Sequence, residues 1–334
     1  MTLSDRATAR LAFARHALAD PALSLEPASA DASFRSYWRG LSAGVSQIVM
    51  DAPPEHEDIE PWLDIAGRLR RAGLNAPEVR ALDREQGFIL MSDLGNQPLL
   101  SALHEASVES LYGAALDALF ALQTRGDTSG LPDYDEARLV AEMELMPTWF
   151  LQRHLGFTPE CEQWDIIESA FRALADNALA QPKVLVHRDF HSRNLMVRQP
   201  ALGVIDFQDA VRGPITYDLA SLLRDCYIAW PQERVYGWLE AYRQRLADAG
   251  LIAVDGARFR RWFDLMGVQR HIKVLGIFCR LNYRDGKPGY RADLPLVWRY
   301  VREVGSEYDA IRPLIALIER AIGKRRLHLP RPPE

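Results

Sequence analysis

The sequence predicts an α+β chain with a small β-rich N-terminal part and a larger, mainly helical C-terminal part. Three observations carry that expectation. The 334 residues are 48% hydrophobic and 25% charged, and at roughly 100–200 residues per domain they make two domains or lobes with a small site-bearing cleft expected between them. Strand-like alternation clusters before a turn-rich segment at 92–98, and helical spacing dominates after it. Three brief apolar runs, 184–186, 195–197 and 203–205, then interrupt the helical part.

Each element follows in order. Leu11, Ala12, Ala14, Ala17 and Leu18 recur at helical spacing and stop at Asp20-Pro21, so the chain opens with a helix. A small, polar stretch at 27–33 precedes aromatic and β-branched alternation at 34–39 and 45–50, which predicts strands joined by turns. Pro61-Trp62-Leu63 begins a helix through Leu69, with the acids Glu57, Asp58 and Glu60 at the positive end of its dipole, and Gly73 stops it. Segments 79–82 and 87–91 predict two more short strands, and 92–98 a hinge. The first domain is therefore expected at 1–95 and the second at 96–334. Beyond the hinge, Leu111, Ala114, Ala115, Leu116, Leu119 and Leu122 form one helix face. The three apolar runs predict short buried strands, the chain returns to helix from Asp218, and 327–334 is expected to fray.

Forty basic and 45 acidic residues, interspersed to a formal charge of −5, leave no electrostatic footprint for nucleic acid or an anionic membrane. Small-molecule partners are expected instead. Cys161, Cys226 and Cys279 lack disulfide or zinc spacing, no apolar run approaches the roughly 18 residues of a membrane span, and Asp5, Arg6, Arg10 and Arg15 interrupt any signal-peptide core. A cytoplasmic protein is the expectation.

The most specific feature is the run from His187 to Asn194, His-Arg-Asp-Phe-His-Ser-Arg-Asn, which matches H-R-D-x-x-x-x-N, the catalytic loop of protein kinases. Twelve residues on, Asp206 ends the run Val204-Ile205, and a hairpin would bring it back beside Asn194. Phosphoryl transfer needs such a pair, because Mg2+ takes oxygen ligands and neutralises the phosphates; Asn194 and Asp206 are the candidate ligands, and Asp189 the candidate base for the acceptor hydroxyl. His187 is expected to be a structural hydrogen-bonder under the loop, and His191 either a substrate contact or a loop filler. Asp218 sits at a helix start, as a cap or as a brace for the loop. Asp209 is a second metal-side or substrate-side candidate, or simply solvated.

At these residues the sequence resembles the aminoglycoside phosphotransferase and choline kinase superfamily of eukaryotic-kinase-like enzymes. The resemblance implies a two-lobed protein-kinase-like fold, with ATP and Mg2+ as cofactors. Stretches 33–35, 49–54, 204–210, 269–278 and 284–288 resemble more narrowly the bacterial N-acetylmuramate/N-acetylglucosamine anomeric kinases. That implies phosphorylation of the C1 hydroxyl of a free amino sugar in peptidoglycan (cell-wall) recycling.

The chain departs from the wider kinase pattern in places. Met50 occupies the slot of the strand lysine, no lysine precedes Lys183, and the loop before Phe34 is rich in Ala and Ser rather than Gly. Another cation must then meet the phosphates, and Arg35 is the expected one, with Ser33, Phe34 and Met91 as the other ATP-binding candidates. Gln208 replaces the glycine of D-F-G, so no activation switch is expected. On the helix expected at 269–278, Arg270, His271 and Lys273, together with Arg193 of the loop, are candidates for the sugar acetamido or lactyl carboxylate. The alternatives are a kinase for an aminoglycoside or an amino alcohol, which for a polycation should carry an acidic pocket, and a pseudokinase binding module, which the missing lysine suggests and the joint presence of Asp189, Asn194 and Asp206 opposes.

Overall fold

The structure is a computed structural model and describes residues 3–30 and 34–330. In chain order, α1 (Leu3–Leu18), β1 (Glu26–Ala30), β2 (Ser36–Ser42), β3 (Val45–Asp51), α2 (Glu60–Arg71), β4 (Val79–Asp83), β5 (Phe88–Ser92), α3 (Leu99–Ala102) and α4 (Val108–Arg125) come first. Then follow α5 (Glu136–Met143), a π-helical segment Met146–His154, α6 (Cys161–Leu179) and the short strands β6 (Lys183–Val186), β7 (Leu195–Met196), β8 (Gly203–Val204) and β9 (Val211–Pro214). The rest is α7 (Tyr217–Leu223), α8 (Gln232–Asp248), the long α9 (Gly256–Tyr283), a 3₁₀ turn Pro288–Asp293, α10 (Leu294–Gly305) and α11 (Arg312–Ile322).

The chain forms two compact units, residues 1–127 with 193–209, and 128–192 with 210–334. They differ from a cut after residue 95: α3 and α4 stay with the sheet, and the β7–β8 hairpin returns to it. Backbone hydrogen bonds explain the return, from Val197 N–H to the Gln97 carbonyl (2.8 Å) and from Val204 N–H to the Asn75 carbonyl (3.0 Å).

The first unit is built on an antiparallel sheet of order β1-β2-β3-β5-β4. Helix α1 covers one face, where Phe13, Ala14, Ala17 and Leu18 meet Trp38, Val49 and Leu90. Arg6 and Arg10, one turn apart on α1, reach the buried Asp51 at the end of β3 at 2.6 and 2.8 Å, which ties the helix to the strand. Helix α2 buries Trp62, Ile65, Ala66 and Leu69, a single helical stripe. It ends as the sequence predicts: Gly73 adopts φ +90°, and the Gly73 and Leu74 N–H groups bond back to the Arg70 and Leu69 carbonyls. In α4 the buried face runs through Tyr112, Ala115, Leu119 and Leu122, with Leu111 and Ala114 only half-buried at its margin.

The second unit packs around α9, which is buried from Trp262 through Gly276. Strand β9 is absent from the expectations, because Val-Arg-Gly-Pro carries a single β-branched residue; it pairs with β6 at Val186↔Val211, and Gly213 there admits Tyr134, to whose Cβ an added Cβ would come within 3.0 Å. Gly276 does the same on α9: a Cβ would lie 2.3 Å from the Leu145 carbonyl carbon. The tail is better anchored than expected, since Leu327 is buried and its carbonyl accepts from His154 Nε2 at 2.9 Å. Among the described residues no helix is long and apolar enough to cross a membrane.

Candidate active site

Strand alternation decides which side chains can meet a ligand in the first unit. The pairs Tyr37↔Met50, Arg39↔Ile48, Ile48↔Met91 and Met50↔Ile89 put these residues on the sheet face opposite α1. That face lines a cavity of about 400 Å³, a size suited to a small ligand. Four of the sequence's candidates line it: Met91, Arg193, Asn194 and Asp206. Hairpin β7–β8 pairs Leu195 with Val204, Ile205 N–H donates to the Asn194 carbonyl at 3.1 Å, and Asn194 Nδ2 therefore lies 3.2 Å from Asp206 Oδ2. Gln208 Nε2 donates to the other Asp206 oxygen at 3.0 Å, and Asp206 holds a left-handed φ of +63°, a conformation that costs a non-glycine residue about 1–3 kcal/mol and collects at functional sites. Asp209 is exposed beside Gln208.

Ser33 lies outside the described residues. Phe34 is 65% exposed and stacked on His56, and Arg35 Nε stands 4.0 Å from Glu57 Oε2; neither lines the cavity. Arg39 does line it, and its guanidinium is held by Asp93 (2.7 and 3.1 Å) and by the Gly95 carbonyl (3.1 Å). Asp93 also accepts from Ser46 Oγ and Gly95 N–H, so this cation is fixed rather than free to swing. Sequence reasoning passed over Arg39, although its two-residue spacing from Tyr37 is the signal that puts both on one face.

In the second unit, Asp218 turns from its own helix start to the loop. Its carboxylate accepts His187 N–H (2.6 Å) and Arg188 N–H (2.9 Å), and burial raises its pKa to about 7 despite those two bonds. Arg188 has φ +76°, a strained value held in place by this clamp. His187 Nδ1 accepts Asp189 N–H at 3.2 Å, His191 N–H donates to the Asp189 carbonyl at 3.0 Å, and Ser192 N–H donates to Asp225 at 2.8 Å, so each turn of the loop has its own bond. The Asp189 carboxyl is half-buried. Burial pushes its pKa up, but the charges of Lys273, His191, Arg270 and His187 outweigh that and hold it below the usual carboxylate value, so it is ionised at neutral pH.

Helix α9 supplies two of those cations, Lys273 and Arg270. Lys273 Nζ is 3.1 Å from Glu142 Oε1 and 3.2 Å from the Tyr217 hydroxyl, and Arg270 is buried with a bond to Cys226 Sγ. His271 is turned elsewhere, with Nε2 at 2.9 Å from the Arg224 carbonyl and its ring stacked on Tyr300; burial and the Arg270 charge lower its pKa to about 3, so it stays neutral. His191 packs edge-on against Tyr227. Glu142, which nothing in the sequence singles out, takes bonds from Arg188, Lys273 and the Tyr134 hydroxyl.

The phosphotransferase enzyme family profile matches residues 24–262. An N-acetylmuramate/N-acetylglucosamine kinase of Pseudomonas putida is 47% identical over 285 residues, 85% of this chain and 84% of its own. One of Neisseria meningitidis is 41% identical over 306 residues, 90% of this chain and 91% of its own. Among solved structures, a choline/ethanolamine kinase family protein from Mesorhizobium loti superposes with a TM-score of 0.63 at 16% identity, covering 96% of this chain and 100% of that one, a likeness of kinase-like α+β fold. With a profile running from β1's approach into α9 and relatives matched over most of their length, the chain belongs to the phosphotransferase enzyme family.

Proposed function

We propose that this phosphotransferase uses ATP to phosphorylate the anomeric C1 hydroxyl of N-acetylmuramate and N-acetylglucosamine, a cytoplasmic step of cell-wall recycling. The observation that carries the chemistry is Asp189, an ionised, half-buried carboxylate on a loop whose backbone Asp218 clamps. The acceptor rests on the relatives, which are named for these two sugars at 41–47% identity.

Asn194 and Asp206 stand side by side, with Asn194 Nδ2 3.2 Å from Asp206 Oδ2, and each carries side-chain oxygen of the hard kind that Mg2+ prefers. Bound there, Mg2+ would supply neutralisation of phosphate charge. Asp189 orients the sugar hydroxyl and takes its proton as the new P–O bond forms and the bond to the departing ADP oxygen breaks. Lys273 and Arg270 make the surroundings of Asp189 basic, which favours an acceptor that is neutral or carries a carboxylate over a polycationic aminoglycoside.

The test is ³¹P NMR of products from ATP, Mg2+ and each amino sugar, beside an Asp189→Asn control. A sugar 1-phosphate signal, reduced about 10²–10⁴-fold in the control, supports the reading. Turnover of the sugars to a phosphate at any other hydroxyl, or no turnover, defeats it.

A further inference from the structure

Glu142 has a strange address for a carboxylate. It sits in the last turn of α5, the negative end of the helix dipole, where no basic residue accompanies it, and its side chain is only 12% exposed. Both the dipole and burial disfavour its charge. Three donors compensate: Arg188, Lys273 Nζ at 3.1 Å and the Tyr134 hydroxyl, with Tyr217 adding a second bond to Lys273 at 3.2 Å. Tyr134 and Tyr217 pack edge to face at 5.2 Å, and Gly213 leaves Tyr134 the room it needs. The cluster draws on α5, the catalytic loop, α7 and α9, and Glu142 is the member that two cations share.

We infer that Glu142 is a positioning residue for phosphoryl transfer: by anchoring the Arg188 guanidinium it keeps the loop in the left-handed turn immediately before Asp189, and by anchoring Lys273 it keeps that ammonium from collapsing onto the Asp189 carboxylate. The inference rests on Asp189 acting as the base in the proposed reaction. Arg188 carries the key geometric fact. At φ +76° a glycine would be unstrained, so an arginine there is retained for its side chain, and that side chain reaches Glu142. Take Glu142 away, and the Asp189 carboxylate still attracts both cations.

A double-mutant cycle tests this. Glu142→Gln and Arg188→Gly should each lower kcat by about 10–100-fold, as loss of a reacting group's alignment does, while the KM for ATP stays within about twofold. Combined, they should cost little more than either alone, because each breaks the same tether. Arg188→Lys, which keeps a cation, should recover part of the rate that Arg188→Gly loses. A folded Glu142→Gln enzyme with wild-type kcat overturns the inference, as do losses that multiply in the double variant. If Glu142→Gln does not fold, Arg188→Gly decides, and full activity in it is the refuting result. A wild-type enzyme that turns over neither amino sugar defeats the proposed acceptor instead, and the inference falls with the reaction it rests on.

Discussion

Gly276→Ala sets two physical effects against each other with opposite signs. In an exposed helix interior, replacing glycine by alanine stabilises by about 1 kcal/mol through backbone entropy. At Gly276 the new methyl would lie 2.3 Å from the Leu145 carbonyl carbon and 2.5 Å from its oxygen, backbone atoms that cannot rotate aside. Restoring an ordinary contact of about 3.5 Å means moving α9 and the start of the π-helical segment apart by about 1 Å, and overpacking of that kind costs about 1–3 kcal/mol, here at the upper end because neither partner is a flexible side chain. The net expectation is a loss of about 2 kcal/mol, read as a lower denaturation midpoint in urea. There is a functional arm. Gly276 lies one helical turn beyond Lys273, and Leu145 three residues beyond Glu142, so the displaced contact adjoins the 3.1 Å Lys273–Glu142 pair, and kcat should fall more than the KM for ATP rises. A Gly276→Ala protein that is more stable than wild type and fully active would refute the packing argument and leave helix propensity as the controlling effect.

Two further tests concern charge. Arg39→Met should raise the KM for ATP by about tenfold, about 1.4 kcal/mol, because it removes the fixed cation of the cavity wall and strands Asp93; an Arg35→Ala enzyme with unchanged ATP affinity and turnover would remove Arg35 from the nucleotide site, and the same result for Arg39→Met would remove Arg39. Asp218 has a carboxyl raised by burial to about 7, so its contribution to stability is complete below the usual carboxyl value near 3.8 and is lost as pH rises through about 7. Asp218→Asn should therefore be less stable than wild type at pH 5 and close that gap towards pH 8, and a Tm difference that widens with rising pH would contradict the assignment.

What was legible in the sequence was what is local in it. The run from His187 to Asn194 is eight consecutive residues, and the Asn194–Asp206 pair needs only a hairpin whose two strands announce themselves as apolar runs. Helix α2 was legible to within two residues at its end because Pro61, an apolar stripe and Gly73 all agree. Glu142 was not, since Arg188 is 46 positions away and Glu-Met-Glu-Leu-Met reads as an ordinary helix end. Arg39 and Asp93 stand 54 positions apart, and only strand register joins them. Strand β9 escaped because tertiary pairing with β6 overrides its weak propensity. In each case the missing information is a long-range pairing, which no window of sequence contains.

Met50 brings these strands of reasoning together. The strand slot of the kinase lysine is fully buried here, between Tyr37 on β2 and Ile89 on β5, so the position is filled by packing and leaves no room for a solvated cation to be restored by a rotamer change. The fixed cation of the same face is Arg39, one cross-strand pair further on, and at about 3.3 Å per residue that is about 7 Å along the sheet, towards the turn that follows β5. A cation moved that far cannot repeat the contact it replaces. It meets whatever part of a ligand lies against Asp93 and Gly95, while the end of the cavity at Asn194 and Asp206 has Arg193 as its neighbour in the chain. Among the described residues, the two arginines that line this cavity are therefore a strand arginine held by a carboxylate, Arg39, and a loop arginine next to Asn194, Arg193, while the strand slot paired with Ile89 is filled by Met50.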